Sequence, residues 1–167
     1  MSIVYPYLPE GRTIKYVSAD NMLMKAAEEA ARTLSTDHQH PTSAILVRDE
    51  AVLLAAANQS ALKNPWLLTL HKKGFCIRRM LKIPSGKKYW LCPGCASSKN
   101  HAETLLIGQA KKLGVKTEGA DVYHWGHWWC CEPCWNAMIA GGVRDVYLLE
   151  GSDRLFNPRF SENIIGK

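Results

Sequence analysis

"HAETLLIGQAKKLGVKTEGADVYHWGHWWCCEPCWNAMIAGGVRDVYLLE", residues 101–150, decides the fold. Apolar residues at helical spacing predict a helix from about His101 to Leu113, with Gly114 as its C-terminal cap. "ADVYHW", 120–125, reads as a strand. "EPCWNAMIAGG", 132–142, reads as a helix whose Pro133 sits early, where a missing N–H costs nothing. "VRDVYLLE", 143–150, is a strand again. This alternation implies parallel strands joined by crossover helices, hence a three-layer α/β/α domain.

Upstream, "DNMLMKAAEEAARTL", 20–34, has the period of a helix that Ser18 or Asp20 would cap. "SAILVRDEAVLLAAAN", 43–58, gives two apolar runs separated by "RDE", as in a hairpin of buried strands. From 59 to 100 the pattern dissolves into Pro, Gly, Lys and Cys. There "HKKGFCIRRML" has helical character and "KIPSGKKYWLCPGCASSKN" reads as a long irregular loop, of a kind that is usually functional or pinned by something. The end, "NPRFSENIIGK", suggests a short helix. The expectation is a single domain, 1–167, with an irregular insertion at about 59–100.

With 47% hydrophobic residues in 167, the chain suits one buried core. No run approaches the roughly 18 apolar residues that span a bilayer, and "MSIVYPYLPEGR" lacks the layout of a signal peptide. The expected location is therefore cytosolic. Six cysteines in a reducing compartment point to metal binding or catalysis rather than disulfides. The formal charge of +6 fits a phosphate-bearing partner, nucleotide or polynucleotide, and equally a merely solubilised surface.

Cys131 and Cys134 are three apart, hence on one helical face, at a helix N-terminus whose free N–H groups and macrodipole favour thiolates. His101 also opens a helix. Successive crossover helices of an α/β sheet start at the same edge, so these termini can converge. One nitrogen and two sulfurs would leave a tetrahedral zinc ion an open position, the mark of a catalytic site. Glu103, close by and not a ligand, would then handle protons for the activated water. Taken singly, H-A-E is common by chance and C-x-x-C suits a knuckle or redox pair. Together, in the order H-x-E, strand, C-x-x-C, they nearly complete the signature of zinc nucleobase deaminases, with one departure. Cys130 stands where a proline is usual, and Pro133 falls inside the pair.

At this point the chain resembles the cytidine and deoxycytidylate deaminase superfamily, most of all its bacterial and phage deoxycytidylate branch. The resemblance covers roughly 20–150 and rests on "AILVRDEAVLLAAAN", "CIRRMLKIPSGKKYWLC", "NHAETLLIGQAKKLGVKTEGADVY" and "CEPCWNAMIAGGVRDVYLLEG". It implies a cytidine-deaminase-like sandwich with a central mixed sheet of about five strands, and a homo-oligomer. The activity it implies is hydrolytic loss of the 4-amino group from a cytosine nucleotide, foremost dCMP, with His101, Cys131 and Cys134 on zinc and Glu103 as proton shuttle.

The resemblance also places Ala102 against the base and Asn58 at the sugar or base, although a strand-end asparagine can equally serve its own turn. Two further departures concern the substrate. Leu105 replaces a usual asparagine, and "HWGHWW" lengthens the loop that walls the base pocket, where Trp128 and Trp129 are expected to contact substrate. His124, Trp125 and His127 belong either to that wall or to the core.

Cys92, Cys95 and Cys76 would supply three soft ligands to a second, structural zinc pinning the loop, against ordinary buried thiols. Some deoxycytidylate deaminases carry an extra zinc ligated from the segment matching "DHQHP". That resemblance makes His38 or His40 the fourth ligand, with His71 a weaker alternative.

Two rivals stand beside the nucleotide enzyme. One moves the same chemistry to single-stranded DNA, tRNA or another free base, which the positive charge and tryptophans suit. The other is a non-catalytic zinc-binding module, against which stands Glu103, a residue that a pure scaffold does not need.

Overall fold

Strands that follow helices, and one hairpin, build a single mixed sheet. The computed structural model describes residues 3–83 and 87–165. Pro84, Ser85 and Gly86, of the "IPSG" element in the resemblance, lie outside the described residues. In chain order the elements are β1 (Ile14–Val17), α1 (Met22–Leu34), β2 (Ser43–Arg48), β3 (Ala51–Ala57), α2 (Pro65–Lys72), α3 (Ile77–Met80), α4 (Ala102–Leu113), β4 (Asp121–Trp125), α5 (Glu132–Ala140), β5 (Val146–Leu149) and α6 (Ser152–Leu155). The sheet order is β1-β5-β4-β2-β3. β4 is parallel to β5, and β5 to β1, while β2 is antiparallel to both β4 and β3. Four strands therefore point one way and β2 the other.

The period-two alternation of side chains sorts the strands into two cores. Ala44, Leu46 and Val122 face one side, where Leu106 and Ala110 of α4 and Trp135 and Met138 of α5 pack on them. Ile45, Val47, Tyr123 and Trp125 face the other, against Met24, Ala27 and Ala31 of α1 and Phe156. The result is the expected three-layer α/β/α sandwich with a mixed five-stranded sheet. No helix among the described residues is long and apolar enough to cross a membrane.

Several expectations shift in detail. α1 is capped by Asn21, whose Oδ1 accepts from the N–H groups of Leu23 and Met24, rather than by Ser18 or Asp20. An asparagine one residue nearer reaches the orphan donors that those two miss. The hairpin turns on Asp49 and Glu50, both at positive φ, a two-residue turn of the hand that matches strand twist. Its ladder shifts register between Leu46 and Val47, which leaves Leu53 as an extra residue on β3. β1 escapes a pattern reading because it is four residues long and pairs only with β5. The C-terminal helix forms earlier than expected, at α6, and 157–165 is a series of turns.

The 59–100 insertion is not structureless. Asn64 caps α2 over "PWLLTLHK", while "HKKGFCIRRML" is broken at Gly74 and resumes as α3.

Two glycines test this arrangement. Gly126 follows β4 at φ +93, and a Cβ there would lie 2.3 Å from the Pro41 carbonyl oxygen. Gly126→Ala should therefore cost about 1–3 kcal/mol through backbone strain. Exposed Gly108, inside α4 with nothing within 4 Å, should gain about 0.5–1 kcal/mol on Gly108→Ala. Urea midpoints of the two variants should move in opposite directions.

Candidate active site

The catalytic face is set by strand direction. β3 and β4 run parallel, so α4, entered after β3 and the insertion, and α5, entered directly after β4, begin at the same sheet edge. His101 occupies the N-cap position of α4 and Cys131 that of α5, with Cys134 one turn inside. Neither cap makes a side-chain capping bond, which leaves both side chains for another partner.

Those partners are each other. His101 Nδ1 is 3.4 Å from the sulfurs of both Cys131 and Cys134, and the two sulfurs are 2.8 Å apart. A zinc ion with Zn–S of about 2.3 Å and Zn–N of about 2.0–2.1 Å has tetrahedral N···S edges of about 3.5 Å, and S···S edges of about 3.8 Å. The imidazole already stands at the right separation, and the sulfurs, 2.8 Å apart, would have to part by about 1 Å. Protonation follows the crowding. The hydrogen bond with Cys134 and the His101 imidazole bring the Cys131 thiol down to about 5 against its burial, while Cys134 is pushed up. Thr104 Oγ1 approaches Cys134 Sγ at 3.8 Å. Three donors, two of them sulfurs, fit zinc and leave it a fourth position.

Glu103 lies in the first turn of α4 and is 3% exposed. Burial pushes its carboxyl up, but the facing His124 and His101 rings hold it below the ordinary carboxylate range. His124 Nε2 is 3.5 Å from Glu103 Oε1. Its Nδ1 is 2.7 Å from the Ser43 carbonyl oxygen, which can only accept, so Nδ1 carries the hydrogen and Nε2 is the nitrogen turned to the carboxyl. Ser43 Oγ in turn donates to the Ala27 carbonyl of α1. A buried line thus runs from α1 across β2 to Glu103. Cys130, fully buried, completes a group with Glu103 and His124, and burial keeps its thiol protonated.

Sequence reading placed His124 in a pocket wall or the core without assigning it to Glu103. Alternation along β4 is the available signal: Tyr123 and Trp125 face α1, so His124 must face α4.

The other expected contacts divide. Ala102 is fully buried in the core beside the site. Trp125 is core, edge-on to Phe156. Trp128 packs on the α1 side and lines a cavity with Ile3, Val4 and Phe160, because the Gly126 turn carries the chain around the strand end. Trp129 stays near the site through His127, whose ring is 5.6 Å from it and 6.4 Å from His124. Burial lowers His127 to about 3, so that ring is neutral. Asn58 is committed to the chain itself: Oδ1 accepts from Ser35 Oγ and the Thr42 N–H, and Nδ2 donates to the His40 carbonyl. Among the described residues that leaves one Nδ2 hydrogen for anything else.

The three other cysteines also converge, with a correction to their expected fourth partner. Cys76, Cys92 and Cys95 gather with His71, not with His38. His38 is exposed, on a loop held back by the Gln39 and His40 N–H groups donating to Asp37, whereas His71 is buried in the last turn of α2.

Comparison with known proteins bears on this site. The family described as the cytidine and deoxycytidylate deaminase zinc-binding region matches residues 17–150. No curated protein sequence matches the chain. Among solved structures, the apo dCMP deaminase of cyanophage S-TIM5 is similar at 19% identity, covering 75% of this chain and 77% of that one, with a TM-score of 0.45. The same phage enzyme with dCMP and dUMP gives 17%, 78%, 82% and 0.45. A diaminohydroxyphosphoribosylaminopyrimidine deaminase/5-amino-6-(5-phosphoribosylamino)uracil reductase from Thermotoga maritima gives 19% identity and a TM-score of 0.44, with 75% of this chain but only 27% of that one covered.

The geometry separates ligands from shuttle. Cys131→Ala is expected to lose one equivalent of zinc relative to the parent, measured by plasma mass spectrometry on desalted protein. Glu103→Gln is expected to lose none.

Proposed function

Since the chain belongs to the cytidine and deoxycytidylate deaminase zinc-binding family, we propose that it hydrolyses the exocyclic C–N bond of a cytosine nucleotide, foremost dCMP, giving the uracil nucleotide and ammonia. The observation that carries the reading is Glu103: a buried carboxyl beside three convergent metal-ligating donors, 3.5 Å from the ring of a histidine anchored on the Ser43 carbonyl. A scaffold that only binds metal has no use for such a group.

His101, Cys131 and Cys134 would hold a zinc ion, which when bound would supply Lewis-acid activation of a water molecule at neutral pH. The protein's own residues do the rest. Glu103 takes one proton from the attacking water as its oxygen bonds to C4, and places that proton on N3. It then moves the second water proton to the amino nitrogen, which leaves as ammonia when the C4–N bond breaks, so that C4 keeps the oxygen as a carbonyl and N3 keeps its hydrogen. His124, its ring anchored on the Ser43 carbonyl, packs against the carboxyl, and the buried core around Ala102 keeps bulk water from that side.

A second reading has its own observation. Residues 51–102 contain nine lysines and arginines and no acid, and Trp66, Phe75 and Trp90 on the same insertion are 67%, 69% and 79% exposed. Interleaved cations and exposed rings suit a single-stranded polynucleotide presenting its cytosine to the same chemistry.

Ammonia release from dCMP, deoxycytidine, guanine and a cytosine-containing single-stranded oligonucleotide distinguishes the readings. Turnover of dCMP is expected, and activity on the oligonucleotide alone would reject the nucleotide assignment. Glu103→Gln should lower kcat by about 100- to 10,000-fold with its fold intact. A variant as active as the parent would remove Glu103 from the mechanism.

A further inference from the structure

Among the described residues the insertion between β3 and α4 adds no strand to the sheet, and its centre is made of sulfur. Cys76 stands before α3, and Cys92 and Cys95 flank Pro93–Gly94 after a turn of 3-10 helix at Tyr89–Leu91. The three side chains pack as a small buried cluster of their own. His71 joins them from α2, and all four residues are no more than 7% exposed. Cys76 Sγ is 3.4 Å from Cys95 Sγ, Cys95 Sγ is 3.6 Å from His71 Nε2, and all four donor atoms lie within 4.8 Å of one another. These are close to the tetrahedral edges of a zinc ion, about 3.8 Å for S···S and about 3.5 Å for S···N. A disulfide requires sulfurs at about 2.05 Å.

Two further features fit a ligand cage. A Cβ on Gly94 would lie 2.3 Å from His71 Cδ2, so the imidazole fills the space that a side chain would take in "CPGC". The N–H groups of Gly94 and Ile77 point at the Cys92 sulfur. Such N–H···S bonds favour a thiolate ligand.

We propose that His71, Cys76, Cys92 and Cys95 bind a second zinc ion, closed by four protein ligands and therefore structural. The set lies wholly inside the insertion and takes nothing from "DHQHP". Its effect reaches the catalytic face: between Cys76 and Cys92 the chain carries Tyr89, whose ring meets His101 edge-on at 5.6 Å under the Arg78 guanidinium. Just beyond Cys95, the Ala96 N–H donates to Asp37. The metal assignment stands on these donors alone; only its consequence for His101 rests on the deaminase reading.

Zinc content by plasma mass spectrometry tests it. Two ions per chain are expected for the parent, and one each for the double variants Cys131→Ser/Cys134→Ser and Cys92→Ser/Cys95→Ser. Cobalt(II) in Cys131→Ser/Cys134→Ser should show the visible bands and strong thiolate charge transfer of a tetrahedral three-sulfur site. His71→Ala should release that metal to a chelator more than about tenfold faster than the parent. Should the second variant fail to fold, the parent count and the cobalt spectrum still decide. A single ion in the parent with none in Cys131→Ser/Cys134→Ser overturns the proposal, as does a Cys76–Cys95 disulfide found by mass spectrometry. Two ions in a chain that deaminates nothing would uphold it while rejecting the proposed activity.

Discussion

The direction of two strands governs this molecule. Because β3 and β4 are parallel, the helices that follow them begin on one edge, and only there can His101 at one N-terminus meet Cys131 and Cys134 at another, within 3.4 Å. A helix start suits thiolates for electrostatic reasons, since its unpaired N–H groups carry partial positive charge. The reversed strand, β2, has a different part. It lies next to β4, and its Ser43 carbonyl fixes the His124 ring that faces Glu103. The sheet therefore positions both the donor set and the carboxyl, from opposite strand directions.

Much of this was legible in the residues. The periodicity of 101–150 gave two helices and two strands because each is long and strongly patterned, and the H-x-E and C-x-x-C spacings placed Glu103 beside the three donors. What the pattern hid is short or tertiary. β1 has four residues and is defined by its pairing with β5. Asn58 at a strand end looks the same whether it serves a substrate or the Ser35–Thr42 turn, and only its hydrogen bonds distinguish the two. The resemblance at "DHQHP" favours His38 or His40 over His71, and only the tertiary packing of α2 brings the His71 ring beside the three sulfurs.

The insertion shows how chemistry can stand in for a core. Its helices are of eight and four residues, too short to be stable alone. Trp66, Phe75, Met80 and Trp90 are left largely in solvent. What gathers it instead is a knot of sulfur and imidazole, with the Ser60 and Leu62 hydrogen bonds to the Pro93 carbonyl tying it to the end of β3. Tyr89, carried on the same segment, meets the ring of His101 edge-on.

The rims of the sheet are the last feature of note. Among the described residues β3 and β1 each have one unpaired side, and a flat, apolar border strand is a template on which other chains polymerise. At one border Leu53 interrupts the ladder, and the resulting kink twists Val52 and Leu53, 44% and 38% exposed, away from straight alignment. The opposite border is simply too brief to recruit a neighbour. A distortion on one flank and brevity on the other are devices that make a border strand a poor template for added chains, and neither strand uses proline for the purpose.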